Sequence, residues 1–598
     1  MDGEIKKDLL NQDAVKTSEI QPDAPIQKND SAMLAAEQRM PVSGDFKVIE
    51  GKKAAETEET KKMKANYAFF GPVTVLYAVF YAFCMYKNTS GITFPFFAAG
   101  SLLYFCFSMK KLGVTLKRDS IFYAVSMMLL AVSTFCTDDS RIIFFNKTGI
   151  FLLMISFLLR QFFRTDGWKL GKYLIAIPEI LFGSFAQIIR PVEDLERYFA
   201  AKKKEGAQKS IRNGYYIFLG LIISIPLLLV TGLLLCSADA VFREQMSFVR
   251  MDVQLTDIVR VFLKILFWYF AVYALVANLC EKRMKCEVKD HRTGEPVIAI
   301  TVTGLLTAMY LFFCWIQIAC LFLGSMELPK GYTYAQYARE GFFQLLAVSI
   351  LNLVIVLFCL CFFRESRILK GILTLMSLCT FVMIASSAMR MIIYIRYYYL
   401  TFQRILVLWT LAVLTLLFVG ILIQIFKKEF ELFRYGVMVV TVFYILLSFS
   451  HPDLIIAKVN IANAPGSMEE ILAYRRGEKT GGNPAENAFF LSSMPYEDYK
   501  YLAELSADAA PALIPYLKSL GYDMNAFTQL RKCDKKDGYP EYFDWREKFS
   551  EMGIKEHGAK KPESFGYYYL GNLYDSVRKM NFRTFNLSRF LAGQVINK

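Results

Sequence analysis

The sequence predicts an all-α integral membrane protein, a polytopic bundle of about 11 transmembrane helices with a small, mainly α-helical soluble domain at its C-terminus. The chain is 55% hydrophobic and only 21% charged, whereas soluble domains are roughly 45–50% apolar and about 25% charged. Its apolar residues also fall in stretches of about twenty, the length that crosses a hydrocarbon core of about 30 Å. These two observations together favour a membrane-spanning bundle.

Three regions follow from the distribution of apolar residues. Residues 1–64 are polar and rich in Lys, Glu, Gln, Ala and Asp, which predicts a disordered cytoplasmic tail without a cleaved signal peptide. Residues 65–450 form the transmembrane domain, and residues 451–598 form the C-terminal domain. The predicted spans are 67–86, 92–109, 119–136, 148–163, 214–236, 257–280, 297–324, 339–363, 368–395, 405–426 and 434–450.

The basic residues of the short loops predict the orientation. With the N-terminus in the cytoplasm, the inside segments hold 28 Lys and Arg and the outside loops hold 9. Because short cytoplasmic loops carry the excess of Lys and Arg, we expect the N-terminus inside and, with eleven spans, the C-terminal domain outside the cytoplasm.

The segment 173–189 is apolar enough to span, but both of its flanks are strongly basic. Pro178 and Glu179 lie in its middle. We therefore expect an interfacial or re-entrant segment, with both ends on the cytoplasmic side. If it crossed the membrane instead, the C-terminal domain would face the cytoplasm.

The C-terminal domain is predicted to be helical. Tyr496 to Leu505 and Thr584 to Ile596 have the spacing of helices, Ser506 is a candidate cap for the helix that follows it, and Ser467 to Glu470 fits a capping box. A glycine-rich loop lies near 481–484. The domain contains no phosphate loop, nucleophile elbow or metal signature.

The sequence predicts no metal, no other cofactor and no nucleic-acid partner. It excludes a metal centre built from several histidines, and a metal site built from carboxylates is the alternative left open. The three histidines are isolated from one another, and eleven of the 12 cysteines lie in or beside apolar spans, where Cys behaves as a small hydrophobic residue. The positive charge of the chain lies in the loops that flank the membrane, where it matches anionic headgroups of the lipid bilayer.

Charged residues within spans are candidate functional groups, because inserting each costs at least about 2.5–3.5 kcal/mol. Arg390, Tyr394 and Arg404 lie at the outer end of one predicted span. They suggest a site for an anion or a lipid headgroup. The structural alternative is that the two arginines extend to the interface.

A second group consists of Asp257, Arg260 and Lys264, which share one helix face. An Asp257–Arg260 ion pair is the structural interpretation, and anion binding or proton relay by Lys264 is the functional one. Asp239 is expected to cap a short helix, and its functional alternatives are to bind a cation or to act as a base. Glu340 is expected to lie favourably at a helix N-terminus.

The remaining polar residues of the spans are expected to have structural roles. Gln317 and Asn352 should form hydrogen bonds between helices. Arg160 should extend to the interface or pair with Glu179, if 173–189 folds back. The pair Asp138-Asp139 in the second outside loop is expected to be solvated.

Several strings resemble one family of bacterial multi-span membrane proteins, catalogued as domain of unknown function 4173 and related to the 4153 group. The resemblance covers roughly 210–598. It implies a bacterial cell membrane location and this topology, but no activity, and it suggests a membrane or envelope protein partner such as a two-component sensor. The strings are LLLCSADAVF (233–242), YAREGFFQLLAVSILNLVIVL (337–357), RMIIYIRYYYLTFQR (390–404), HPDLIIAKVNIANA (451–464), LAELSADAAPALIPYL (502–517) and FRTFNLSRFLA (582–592).

Three function classes remain. A non-enzymatic sensory, regulatory or envelope-assembly protein is favoured, because the C-terminal domain lacks a catalytic motif. A transporter or permease for lipids or anions is the alternative, although no internal repeat is evident. A lipid-linked glycosyltransferase is the least favoured class, because it needs an acidic residue in an early outside loop and only Asp138-Asp139 offers one.

Overall fold

The computed structural model describes residues 56–163, 165, 168, 170–204, 255–282, 292–319, 341–427, 429–462, 496–519, 522–536, 544–551 and 565–597, together with five single positions between 220 and 238. No strand occurs in these ranges. The membrane part contains α1 (Glu58–Ala65), α2 (Tyr67–Met85), α3 (Thr93–Leu112), α4 (Ile121–Cys136), α5 (Ser140–Phe162), α6 (Leu170–Ala186), α7 (Arg190–Lys204), α8 (Leu255–Glu281), α9 (Pro296–Gln317), α10 (Phe342–Phe362), α11 (Arg367–Tyr398), α12 (Phe402–Phe426) and α13 (Leu432–Phe449).

The described residues of the C-terminal domain form helices that are joined by turns and loops. They are α14 (Pro452–Ala462), α15 (Tyr496–Ala503), α16 (Ala510–Ser519), α17 (Asn525–Lys536), α18 (Trp545–Glu551), α19 (Phe565–Arg578) and α20 (Leu587–Asn597). The protein is therefore an all-α polytopic membrane protein with a helical C-terminal domain, as the sequence predicts.

Nine of the described helices are long and apolar enough to cross a membrane. α3 is not among the nine, and its last turn carries Lys110 and Lys111. It nevertheless packs between α2 and α4, and the span 92–109 stays a prediction. The predicted span 214–236 lies outside the described residues, so the total of eleven stays a prediction. The nine are Tyr67–Met85, Arg118–Cys136, Ser140–Phe162, Val259–Glu281, Pro296–Gln317, Phe342–Phe362, Arg367–Arg396, Phe402–Phe426 and Leu432–Phe449.

The membrane helices form two lobes, each with its own apolar core. Lobe A contains α2 to α6 and α8, and lobe B contains α9 to α12. α13 lies between them: Phe433 and Tyr444 pack on the core of lobe A, and Leu432 packs on that of lobe B. Trp409 of α12 donates from Nε1 to the carbonyl of Phe443 on α13 at 2.9 Å.

The two ends of the bundle carry different contacts. At the end that we call the α1 end, Lys282 after α8 pairs with Glu59 of α1 at 2.6 Å. Lys117 before α4 donates to the carbonyl of Arg160 in the last turn of α5 at 2.7 Å there. The C-terminal domain contacts the loops at the opposite end, which we call the domain end.

Both termini of the helix α6 lie at the α1 end of the bundle. Near its start, Tyr173 stacks on Phe433 at the start of α13, with ring centroids 4.1 Å apart. Just past its end, Gln187 donates to Glu281 at the end of α8, at 2.9 Å. A bend of 50° then separates it from α7. These contacts agree with an interfacial or re-entrant path for 173–189, whose position relative to a membrane stays a prediction.

Part of the predicted disordered tail is helical. Residues 58–64 belong to α1, which Thr57 caps by accepting a hydrogen bond from the amide of Thr60. Met63 is buried against the core of lobe A, and Thr57 donates to the carbonyl of Cys280. The apolar side chain and the cap explain why a segment of polar composition is ordered here. Residues 1–55 lie outside the described residues.

The two C-terminal helices that the sequence predicts with bounds, 496–505 and 584–596, correspond to α15 (Tyr496–Ala503) and α20 (Leu587–Asn597), to within three residues at each end. One local detail differs, because Ser506 occupies the cap position but its side chain makes no capping hydrogen bond. Its backbone amide instead donates to Asp453 at 2.9 Å. The predicted capping box at 467–470 and the loop at 481–484 lie outside the described residues.

Candidate functional site

Four chain segments meet at the junction between the membrane helices and the C-terminal domain. Two come from the membrane part: the loop between α4 and α5, and the turn between α13 and α14. The turn is tight, because His451 adopts a left-handed backbone conformation with φ of 49°. The other two come from the C-terminal domain: the 3₁₀ turn at 507–509 and the start of α20. We call the charged residues gathered there the docking network: Asp138, Asp139, Arg141, His451, Asp453, Asp508 and Arg589.

Asp508 is the centre of the docking network, and its side chain is fully buried. It accepts hydrogen bonds from Thr137 Oγ1 at 2.5 Å, from the amide of Asp138 at 2.8 Å and from the Ser588 hydroxyl. His451 Nδ1 lies 3.2 Å from Oδ2 of Asp508. One carboxylate therefore holds groups from both membrane-part segments and from α20.

The surroundings of Asp508 favour its charged form. Burial works to raise the pKa of Asp508, but the hydrogen bonds from His451, Ser588 and Thr137 outweigh it and hold that pKa below its usual value. The same hydrogen bond from His451 to Asp508 raises the pKa of the imidazole, against the effect of burial. Each partner thus stabilises the charge of the other.

A second ion pair crosses the same boundary. Arg589 on α20 donates from Nε to Asp138 Oδ1 at 2.6 Å. Only 7% of the Asp138 side chain is exposed, and burial raises its pKa although Arg589 opposes that shift. Burying a carboxylate is costly unless it is paired, so Asp138 depends on the C-terminal domain for its compensation.

Arg141, at the start of α5, joins two further carboxylates. It donates from Nε and from Nη2 to the two oxygens of Asp139, at 2.9 and 2.8 Å, and it also donates to Asp453. The guanidinium lies over the ring of Phe402, 4.1 Å from its centroid. Burial raises the pKa of Asp453, and the backbone amide of Ser506 donates to it.

The charges of the docking network nearly balance. Four buried carboxylates face two arginines and one histidine. Removing one member of a buried pair typically costs about 3–5 kcal/mol, since it leaves the other charge uncompensated. Each of these residues is therefore tied to the docked position of the C-terminal domain.

Uncharged contacts extend the docking surface to the rim of lobe A. Asn586 donates to the carbonyl of Thr137 at 2.9 Å, and the amide of Ile92 donates to the carbonyl of Phe585 at 2.8 Å. A side chain at Gly91 would place its Cβ 2.5 Å from the Cα of Thr584. The loop between α2 and α3 therefore approaches the domain closely enough to require glycine.

Lobe B is held by separate hydrogen bonds. The amide of Leu400, between α11 and α12, donates to Asn460 Oδ1 at 2.8 Å, and Asn460 Nδ2 returns a bond to the carbonyl of Leu400 at 2.9 Å. The amide of Phe402 donates to the Tyr501 hydroxyl at 2.8 Å. The C-terminal domain thus contacts both lobes at the domain end.

The first predicted group lies at one end of α11. Arg390 and Tyr394 belong to this helix, and Arg404 of α12 lies beside Tyr394. Arg390 is 7% exposed and donates to Gln317 at 3.2 Å. Tyr394 packs against Phe342, and the Arg404 guanidinium lies 4.3 Å from the centroid of the Tyr394 ring. Arg404 also donates to the last carbonyls of α11, which is a capping role. Anion binding by Arg390 stays a prediction.

In the second predicted group, only Asp257 and Arg260 contact each other. Arg260 lies 3.5 Å from Asp257, but Lys87 makes the shorter ion pair with Asp257, at 2.9 Å. Lys264 is exposed, with its ammonium 5.3 Å from the ring centroid of Tyr86. Asp239 and Glu340, the other two predicted site residues, lie outside the described residues.

The interhelical hydrogen bonds predicted for Gln317 and Asn352 are confirmed. Ser386 donates to Gln317 at 2.7 Å. Tyr310 donates to Asn352 Oδ1 at 2.9 Å, and Asn352 Nδ2 donates to Thr380 at 3.0 Å. These bonds link α9, α10 and α11 within lobe B.

Two expectations are wrong. Arg160 is buried rather than extended to the interface, and it pairs with Asp119 at 2.8 Å, whereas Glu179 is exposed. Asp138 and Asp139 are not solvated but buried at the domain boundary. Arg160 and Asp138 share one cause, because their partners Asp119 and Arg589 lie 41 and 451 residues away in the chain and a local pattern does not reveal them.

The docking network as a whole was missed by reasoning from single segments. Its members fall in the strings HPDLIIAKVNIANA, LAELSADAAPALIPYL and FRTFNLSRFLA, which carried the family resemblance, and in TDDSR at 137–141. The charged residues within the largely apolar strings HPDLIIAKVNIANA and LAELSADAAPALIPYL were the available signal. In the described ranges, no group of three or more His, Cys, Asp or Glu side chains is arranged to hold a metal ion.

Comparison with known proteins gives one match. The family model described as Domain of unknown function (DUF4153) matches residues 124–516, which include the membrane-part segments of the docking network and Asp508. No curated protein and no solved structure matches the chain. Membership of the 4173 group is not confirmed. Because the match covers more than half of the 598 residues, the chain belongs to the DUF4153 family.

Proposed function

We propose that this protein is a non-enzymatic sensory or regulatory membrane protein, in which the C-terminal domain transmits its state to the membrane helices. The observation that carries the proposal is the burial of Asp508 among donors from the α4–α5 loop, from His451 and from Ser588. A domain attached in this way cannot move without disturbing ends of three membrane helices. An envelope-assembly role would depend on the same coupling between the C-terminal domain and the membrane helices.

The contacts with both lobes support transmission rather than simple anchoring. Thr137 and Gly91 lie on the rim of lobe A, and Leu400 lies on that of lobe B. A shift of the domain would therefore change the position of one lobe relative to the other. Interfaces of this kind change between discrete arrangements rather than deforming continuously.

The proposed orientation is a cytoplasmic α1 end and an extracytoplasmic domain end. The excess of Lys and Arg in the loops of the α1 end supports it. The path of α6, whose two ends contact the α1 end, supports an interfacial segment there. The domain would then meet an envelope component or a membrane protein partner, such as the two-component sensor that the family resemblance suggests.

A glycosyltransferase role is disfavoured by the same network. Asp138 and Asp139, the acidic pair that such a role would need, are buried and paired with Arg589 and Arg141. A catalytic base must reach the proton that it removes. A permease for anions remains the second candidate, supported by the buried Arg390 of lobe B.

Hydrogen–deuterium exchange of the full chain in nanodiscs tests the transmission. The variant Asp508→Asn should raise amide exchange at the domain end and also in the loops 113–117 and 363–366 at the α1 end. The matched control is Glu504→Gln, an exposed acid on the same domain, which should leave both ends unchanged. Changes in amide exchange that are confined to the domain end would contradict transmission. The C-terminal domain would then only cover the ends of the membrane helices.

The orientation is tested separately by reporter fusions after residues 167, 205, 292 and 598. We expect the first three to report the cytoplasm and the last the opposite side. If the fusions at 205 and 598 exchange sides, then 173–189 crosses the membrane and the domain meets a cytoplasmic partner.

A further inference from the structure

An open groove of about 590 Å³ lies between α11 and α12 at the α1 end, remote from the docking network. Gly371 opens its floor, because a Cβ at that position would meet no atom within 4 Å. Its lining includes the cations Arg367 and Lys370 in the first turn of α11. The apolar side chains that line it are Leu375 and Leu378 of α11 and Phe426 at the end of α12.

The apolar part of the groove faces outward from the bundle. Leu375 is 39% exposed, Leu378 49% and Phe426 70%. In a polytopic membrane protein, such outward-facing side chains of spanning helices contact lipid chains. The groove therefore offers an acyl chain a recess along α11 rather than a flat surface.

The mouth of the groove is lined by basic side chains. Lys370 pairs with Glu365 at 3.2 Å, and Arg292 pairs with the same carboxylate. Arg367 is exposed, and no ion pair within the described ranges involves it. Lys370 and Arg292 thus share one carboxylate, and Arg367 adds a further cation to the groove lining.

We propose that this groove binds an anionic phospholipid. The phosphate lies against Arg367 and Lys370, and one acyl chain runs past Gly371 along Leu378 and Phe426. An arginine and a lysine together match a phosphate, since the guanidinium donates in a planar fork and the ammonium adds a point charge. Basic recesses between membrane helices are a recognised setting for anionic headgroups.

Native mass spectrometry of the full chain measures this binding directly. Phosphatidylglycerol should bind about tenfold more tightly than phosphatidylcholine with the same acyl chains, because only the first carries a net negative charge. The double variant Arg367→Gln/Lys370→Gln should remove that preference. Gly371→Leu, which fills the floor but keeps both cations, should weaken the binding of both lipids.

The matched control is Lys111→Gln/Arg118→Gln, which removes two exposed cations of the same end from lobe A. It should leave the preference for phosphatidylglycerol intact. An equal loss in this control, or an unchanged preference in Arg367→Gln/Lys370→Gln, overturns the proposal. A dimer that dissociates in Gly371→Leu also overturns it, since the groove would then hold a second copy of the chain.

Discussion

His451 Nδ1 lies 3.2 Å from Asp508 Oδ2, and this contact joins the turn after the last membrane helix to the C-terminal domain. The two residues are 57 positions apart in the chain. Because Asp508 is fully buried and also accepts bonds from Thr137 and Ser588, the contact is part of a larger polar junction. The stability of the docked domain should therefore depend on this pair.

Replacing Asp508 by Asn should weaken docking. The substitution removes the negative charge opposite His451 and gives the Thr137 and Ser588 hydroxyls an amide in place of a carboxylate. Loss of one member of a buried pair costs about 3–5 kcal/mol, and thermal unfolding of the purified protein measures the change. The control Glu504→Gln removes an exposed carboxylate and should lower the unfolding temperature little. An unfolding temperature of Asp508→Asn equal to that of the wild type would show that the junction is not needed for stability.

The docked state should be more stable at mildly acidic pH than at mildly alkaline pH. The pKa of His451 is raised in the folded protein, so its contribution is complete below the unfolded value and is lost as pH rises through the folded pKa. The raised pKa values of Asp138 and Asp453 act in the same direction at lower pH. The lowered pKa of Asp508 acts oppositely, but only as pH falls through its own low value.

Unfolding temperatures between about pH 5.5 and about pH 8 measure the histidine contribution, since that range contains the ordinary histidine pKa. We expect the wild type to lose stability across this range and His451→Gln to show a flatter profile. Arg589 and Arg141, which face the neighbouring carboxylates, are present in both proteins. Parallel profiles for the two proteins would assign the pH dependence to other groups.

The membrane helices were predictable because hydrophobic length is a local property. The predicted span 67–86 corresponds to Tyr67–Met85, and 405–426 lies within Phe402–Phe426. The partnered amides of Gln317 and Asn352 were predictable for a similar reason, because an amide in apolar surroundings needs a hydrogen bond wherever it finds one.

The docking network was not predictable from local sequence. Asp138 and Asp508 are 370 residues apart, and the amide of the first donates to the carboxylate of the second. Taken alone, a loop with two adjacent aspartates is typical of a solvated turn. Only the fold brings the two segments together, and the same holds for Arg160, whose partner Asp119 precedes it by 41 residues.

Arg390→Ala tests the candidate anion site of lobe B. If Arg390 binds an anion, the variant should lose function in complementation of a deletion strain while its protein level stays normal. Gln317→Leu removes the acceptor that Arg390 and Ser386 share and serves as a comparison for loss of these hydrogen bonds while the Arg390 side chain is kept. Wild-type behaviour of Arg390→Ala would exclude the anion site.

Gly91→Ala should loosen the domain from lobe A without changing any charge. The new methyl group would lie 2.5 Å from the Cα of Thr584 and would also meet the carbonyl of Arg583, so backbone on both sides must shift. Overpacking of this kind typically costs about 1–3 kcal/mol. Gly171→Ala is the matched control, because its methyl would meet nothing within 4 Å.

Limited proteolysis with the two variants side by side measures the effect. Faster cleavage of Gly91→Ala within the C-terminal domain, with Gly171→Ala unchanged, shows that close approach at this loop holds the domain in place. Equal cleavage of the two would mean that the charged docking network carries the attachment without the loop.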